Sequence, residues 1–153
     1  MENRVDCGQL TKINLDKIKE IHVAKPGDLI FRSRGQLTTA AILKDDPGFS
    51  IVAAPLFRIR VTDENVIPDY LVWFINQLPA QTYLLSRAKG TALKMISKHA
   101  MENIEIELPP LNKQKKIVEL AELSEKEQRL MNQLSKKRKQ FVSTILLQQI
   151  KGD

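Results

Sequence analysis

The sequence has a single cysteine, Cys7, which excludes an internal disulfide and a cysteine-based zinc site. Its two histidines, His22 and His99, lie in no HExxH or HxH context, so a histidine-ligated metal has no support. The six glycines, Gly8, Gly27, Gly35, Gly48, Gly90 and Gly152, are too scattered to form a phosphate-cradling loop. Apolar runs such as Ile51 to Pro55 and Ile145 to Leu147 are far too short to span a bilayer. The opening MENRVDCGQL lacks the basic-then-apolar layout of a signal peptide, and a cytoplasmic location is the default expectation. What is present is ordinary for a globular chain. The 153 residues are 42% hydrophobic and 27% charged, which suits one domain, or one domain with an appendage.

The catalytic inventory is nearly empty. Pro68-Asp69 hints at a nuclease that holds a metal with two acids and a lysine, but no (Asp/Glu)-x-Lys occurs in the chain, and the pair reads as a helix start. Pro109-Pro110 is flanked by Leu108 and Leu111, without the polar group that an amino-methyltransferase loop needs for its target amine. Ser33, Ser86 and Ser97 lack a nucleophile elbow, and Cys7 has no basic neighbour beyond Arg4. No cofactor and no metal are expected.

The hydrophobic pattern divides the chain into residues 1–110, of mixed α and β type, and residues 111–153. A turn at Gly27-Asp28 leads into a strand at Leu29-Ile30-Phe31. Thr38 to Leu43, Phe49 to Ala53 and Leu56 to Val61 are further strand candidates, with a turn at Asp45-Asp46-Pro47-Gly48. Then the period lengthens. Leu71, Phe74, Ile75 and Leu78 recur at spacings of three and four, which predicts an amphipathic helix with Pro68 in its first turn. Pro79 opens a second helix that ends before Gly90, and Ser97 caps a short third one through Met101. Ile104-Glu105-Ile106-Glu107-Leu108 alternates strictly and reads as a strand stopped by Pro109-Pro110.

From Asn112, the expected N-cap, to about Ile150 there is no glycine and no proline. A helix of roughly 39 residues would be about 58 Å long at about 1.5 Å per residue. Ile117, Leu120, Ala121, Leu130, Met131, Leu134, Phe141, Val142, Ile145 and Leu146 give it an apolar stripe, interrupted by polar stretches at 124–128 and 135–140. Such a stripe needs a partner helix. The fold class expected is therefore α+β, a small mixed domain followed by one long coiled-coil-type helix.

Charge follows the same division. Residues 111–153 hold ten Lys/Arg against five Asp/Glu, and residues 1–110 hold fourteen against thirteen, so most of the net +6 lies in the helix. A pI near 9.5 favours a polyanionic partner. Arg32-Ser33-Arg34-Gly35-Gln36 follows the first strand directly, in a composition suited to phosphate or guanine, with Gln36 able to read adenine and Thr38 and Thr39 able to meet phosphate. Lys89-Gly90-Thr91-Ala92-Leu93-Lys94 is a second basic loop, with Ser97 and Lys98 beside it. On spacing alone, a solvated polar turn is the favoured reading of each loop. Arg58 and Arg60 read as solvated, and Lys136-Lys137-Arg138-Lys139 spreads around all faces of a helix rather than forming a patch.

The runs KPGDLIFRSRG, AAPLFRIR, IPDYLVWFIN and KGTALKMISKHAMENIEIELPPLNKQKKIVEL, in that order, resemble the specificity subunit of type I restriction–modification systems. The resemblance implies a non-catalytic, sequence-specific reader of double-stranded DNA. Its contacts would come from Arg32, Ser33, Arg34, Gln36, Thr38, Lys89, Thr91, Lys94 and Lys98. It further implies methyltransferase subunits as partners and, through them, a restriction subunit. A full-length member of that family has two recognition domains, each followed by a helix, and the helices pack antiparallel as a ruler. This chain has one of each, so a homodimer through Leu120, Leu130, Leu134, Phe141 and Ile145 is expected. Only 26 residues precede Gly27, where the family's domain begins several tens of residues earlier, so part of the reading surface is expected to be missing. A protein that oligomerises through its helix without reading DNA is the alternative, and a small enzyme is the remote one.

Overall fold

A computed structural model describes residues 4–14, 18–35, 38–90 and 93–151. It has the α+β architecture expected. The chain forms two compact units, Met1–Val118 and Glu119–Asp153.

The first unit is built on a three-stranded antiparallel sheet in the order β2-β1-β3. Gly27 opens it in a left-handed conformation (φ +88°) that a side chain would strain, and its N–H donates to the Leu43 carbonyl at 2.7 Å. β1 (Leu29–Arg32) is central, flanked by β2 (Ala40–Ile42) and β3 (Leu56–Ile59). Leu29 lies opposite Ile42 on one side and Ile59 on the other. Leu29 and Phe31 have no exposed surface, and the Phe31 and Phe57 rings stack at 6.2 Å. β2 and β3 are the two edges, and two devices cover β2. The Asn76 amide donates to the Ala40 carbonyl and accepts from the Ala40 N–H, both at 2.8 Å, and the Val5 N–H donates to the Ile42 carbonyl at 2.9 Å.

Three helices close the core over the inner face. α1 (Pro68–Ile75) and α2 (Leu78–Ser86) each carry proline in the first turn, where its missing N–H has no intrahelical partner to lose. α3 (Lys98–Glu102) is capped by Ser97, whose hydroxyl accepts from the Ala100 N–H at 3.1 Å. Leu71, Val72, Ile75, Leu84, Ile96, Ala100 and Met101 pack with Leu29, Phe31, Ala40 and Ile42 in one cluster. Each large apolar side chain buried there is worth roughly 1.5–3 kcal/mol. A five-residue helix such as α3 exists only through that packing.

Three strand and cap expectations are corrected. Ile104 to Leu108 forms no strand. Ile104 and Ile106 pack against the core while Glu105 and Glu107 are exposed, and the Glu107 carbonyl takes the Tyr70 hydroxyl at 2.6 Å. Alternation here reports a half-buried chain lying on helices, not a ladder. Phe49 to Ala53 likewise makes only an isolated bridge, Val23 to Ile51, and Phe49 is exposed. Asn112 is not the cap of the last helix. α4 (Leu111–Lys151, 41 residues) begins one residue earlier, with the Pro110 carbonyl accepting from the Lys113 and Gln114 N–H groups at 2.8 and 3.1 Å. Gln114 is almost wholly buried. Its amide donates to the Asn65 and Pro109 carbonyls, each at 2.8 Å, and accepts from the Ile67 N–H at 2.9 Å. That clamp ties the first turn of α4 into the first unit. In the second unit, no described side chain is buried.

The charges on β3 are the fourth correction. Arg58 and Arg60 are not simply solvated: both turn toward Asp28, which is 1% exposed. Arg60 grips Asp28 with two hydrogen bonds, Nε at 2.6 Å and Nη2 at 2.7 Å, the Lys25 N–H adds a third at 2.8 Å, and Arg58 Nη1 lies 3.6 Å away. The Arg58 Nε and Nη1 atoms are buried without a hydrogen-bond acceptor among the described residues, because Arg60 already holds the carboxylate oxygens. Burial alone would raise the Asp28 carboxyl, but the Arg60 hydrogen bonds, the Lys25 N–H and the two guanidinium charges outweigh it and hold the group below its ordinary value of 3.8. A lowered folded value contributes stability that is fully present above about pH 4 and is lost as pH falls through the folded value. Asp28→Asn is expected to lower unfolding stability at pH 7 by about 3 kcal/mol and to flatten the acid limb of the stability profile. Denaturant unfolding of both proteins between pH 2 and 7 measures both effects.

Candidate nucleic-acid interface

The two basic loops, remote in sequence, are stitched together by backbone hydrogen bonds. Beyond β1 the chain is anchored at Ser33, whose N–H and hydroxyl both donate to the Pro55 carbonyl. The Ser33 carbonyl accepts from the Ile96 N–H at 2.8 Å, and the Gly35 N–H donates to the Lys94 carbonyl at 3.3 Å. Lys89 and Met95 exchange a pair of bonds at 3.0 and 2.9 Å. Met95 thus bridges Arg34 on one side and Lys89 on the other, a miniature antiparallel ladder of three segments. Residues directly opposite in such a ladder point to one face, so Arg34, Met95 and Lys89 share a surface.

Arg32, Arg34, Lys89 and Lys94 are exposed, and among the described residues no carboxylate pairs with any of them. Gathering like charges on one edge is unfavourable in isolation and is relieved by a polyanion. Arg87 extends the cluster: it is exposed, and its guanidinium lies 3.9 Å from the centroid of the Tyr83 ring. Sequence reading missed Arg87, which looks like the ordinary basic end of a helix; its spacing of two from Lys89 was the only available signal. Lys98 stands at the start of α3, exposed, with Glu102 at 3.3 Å.

Two residues expected to touch DNA are instead used internally. Ser33 is 3% exposed and holds Pro55, and Thr38 is 3% exposed with its hydroxyl on Gln81 Oε1 at 3.1 Å. Both build the platform beneath the cations. Gln36 and Thr91, also named from the sequence, lie outside the described residues. The helix residues Leu120, Leu130, Leu134, Phe141 and Ile145 are all exposed, between 40% and 70%. Among the described residues no group of three His, Cys, Asp or Glu side chains is placed to hold a metal, and no helix is long and apolar enough to cross a membrane.

A family model described as "Type I restriction modification DNA specificity domain" matches residues 2–139. The chain belongs to that family. Among curated relatives of this specificity domain, the type I restriction enzyme MjaVIII specificity subunit of Methanocaldococcus jannaschii is 36% identical over 62 residues. That alignment takes in 40% of this chain but 15% of the relative, so the two are compared over a small part of the longer protein.

Gly90 is the conformational keystone of the second basic loop. Its φ is +100°, and a Cβ there would lie 2.6 Å from the Leu93 carbonyl oxygen. Gly90→Ala is expected to displace the loop and break the Lys89–Met95 pair while leaving the core intact. Amide hydrogen exchange at Lys89 and Met95 should rise at least tenfold, with Leu29 and Phe31 unchanged.

Proposed function

We propose that this chain is a non-catalytic DNA-recognition module of a type I restriction–modification system, contacting duplex DNA through Arg32, Arg34, Lys89 and Lys94, with Arg87 and Lys98 at the margin. The observation that carries this reading is the ladder that brings two separate basic loops onto one exposed edge. Phosphate contacts by such cations position a protein on the duplex, and base reading then falls to side chains between them. The near-neutral charge of residues 1–110 supports a reader that works inside a larger assembly, with adenine-methyltransferase subunits as partners and a restriction subunit recruited through them. DNA binding by the isolated chain is then weak and steep in salt.

Arg32→Ala with Arg34→Ala tests this. Binding to duplex DNA at low salt should weaken, and the slope of log K against log salt should fall by about two. An unchanged slope would remove these arginines from the interface. A helix-borne protein that never touches DNA would show the same affinity in both forms.

The second part of the proposal is that α4 pairs with the α4 of a second copy through Leu120, Leu130, Leu134, Phe141 and Ile145. A helix of 41 residues whose second-unit side chains are all unburied leaves its stripe without an intrachain cover. Sedimentation equilibrium at micromolar concentration should return a dimer, and Leu134→Lys with Phe141→Lys should return a monomer with the first unit still folded.

A further inference from the structure

An apolar side chain stands exposed in the middle of the basic edge, and attraction between charges gives it no task. Met95 is 47% exposed. It is the middle member of the ladder, bridged to Arg34 on one side and to Lys89 on the other. The two bridges differ in kind. Lys89 and Met95 exchange both their backbone bonds, at 3.0 and 2.9 Å, and form a hydrogen-bonded pair. Between Met95 and Arg34 the bonds belong to the neighbours instead: the Ile96 N–H donates to the Ser33 carbonyl at 2.8 Å, and the Gly35 N–H to the Lys94 carbonyl at 3.3 Å. That is the pair type in which facing side chains lie closest. Ile96, the next residue, has no exposed surface and belongs to the core cluster. Alternation along the segment then sends the Met95 side chain outward, on a backbone held from both sides.

The breadth of the ladder selects the surface it can meet. Facing Cα atoms are about 5.5 Å apart in a hydrogen-bonded pair and about 4.5 Å apart in the other kind, so Arg34 and Lys89 stand about 10 Å apart with Met95 between them. The minor groove of B-form DNA is about 6 Å wide and does not admit a backbone array of that breadth. The major groove, about 12 Å wide, does. Two exposed cations about 10 Å apart then face the phosphates along its two rims, and the side chain between them faces the base edges. A methionine offers no hydrogen-bond donor and only a weak acceptor, so it reads neither phosphate nor the polar atoms of a base. The apolar group that base pairs present in that groove is the thymine 5-methyl. An unbranched thioether side chain adjusts readily to such a contact.

We infer that Met95 is a base-reading residue of this edge, meeting the 5-methyl group of a thymine in the major groove while Arg34 and Lys89 hold the phosphates on either side. The inference rests on the DNA contact proposed above and adds to it a groove, a base and the side chain that reads it. Phosphate contacts alone carry no sequence information, and Met95 gives the edge a preference.

Uracil differs from thymine only by that methyl group, so exchanging one for the other isolates the contact. Duplexes enriched by the full chain from a randomised pool at low salt should carry a preferred thymine, and uracil at that position should weaken binding about three- to fivefold. Met95→Ala should bind the thymine and uracil duplexes alike, with the salt slope of the parent, and Met95→Leu should keep the discrimination. Arg34→Ala should do the reverse of Met95→Ala, lowering the slope by about one and leaving the discrimination in place. Amide exchange at Lys89 should be the same in Met95→Ala as in the parent, which separates loss of the side chain from loss of the ladder. Binding that enriches no thymine, or a discrimination against uracil that survives in Met95→Ala, overturns the inference and leaves the DNA contact standing. Displacement of the chain by a minor-groove ligand, with uracil tolerated, overturns it in favour of the other groove. A chain that binds no duplex at any salt concentration overturns both.

Discussion

The grip of Arg60 on Asp28 is the interaction from which the working surface follows. A carboxylate taken out of water at the foot of β1 must be met by strong donors, and they come from Arg60, one residue beyond β3. That requirement admits one register between the strands. With Leu29 opposite Ile59, Arg32 falls opposite Leu56, and Ser33 reaches the Pro55 carbonyl with both its N–H and its hydroxyl. Ser33 then presents its own carbonyl to Ile96, and the segment ending at Met95 is drawn against Arg34. A slip of one residue would turn Arg32 inward and part the two basic loops. A buried ion pair of this kind contributes less through its net energy than through the arrangements it forbids.

What could be read before folding was whatever neighbouring residues decide among themselves. Pro68 and Pro79 at helix starts, Ser97 as a cap, and the change from period two to period three or four near residue 67 are local, and the structure has α1, α2 and α3 where those signals lie. Ile104 to Leu108 shows the limit. Its alternation is real as burial, but whether a half-buried segment pairs with a strand depends on what lies beside it, and here the neighbours are helices. Arg58 and Arg60 failed for the same reason: an arginine on an alternating strand looks solvated until its cross-strand partner is known. In the candidate site, the cations Arg32, Arg34, Lys89 and Lys94 were legible as residue types. Their adjacency was not, since it is made by backbone hydrogen bonds between segments some sixty positions apart in the sequence. Ser33 and Thr38 were legible as polar and wrongly assigned outward, because a hydroxyl serves a carbonyl in the protein as well as it serves a phosphate.

Two physical regimes meet in one chain. In the first unit, position is set by directional bonds to buried polar groups: Asp28, Asn76 and Gln114 each hold several backbone or side-chain partners. In the second, Glu125 with Arg129, Gln128 with Asn132 and Thr144 with Gln140 bond along the helix, and the information is in spacing and sign. Directional bonding suits a surface that must hold cations at particular places. Pattern suits a rod, whose order of charges and apolar positions is legible in the sequence.

The covering of β2 has a bearing on which parts of the sheet are left open to other chains. A bare sheet edge would recruit further strands without limit, and a long greasy helix nearby would hold aggregates together. With Ala40 occupied by the Asn76 amide and Ile42 by Val5, that open-ended route is closed at both positions. At that edge the fold suppresses the kind of stickiness that polymerises.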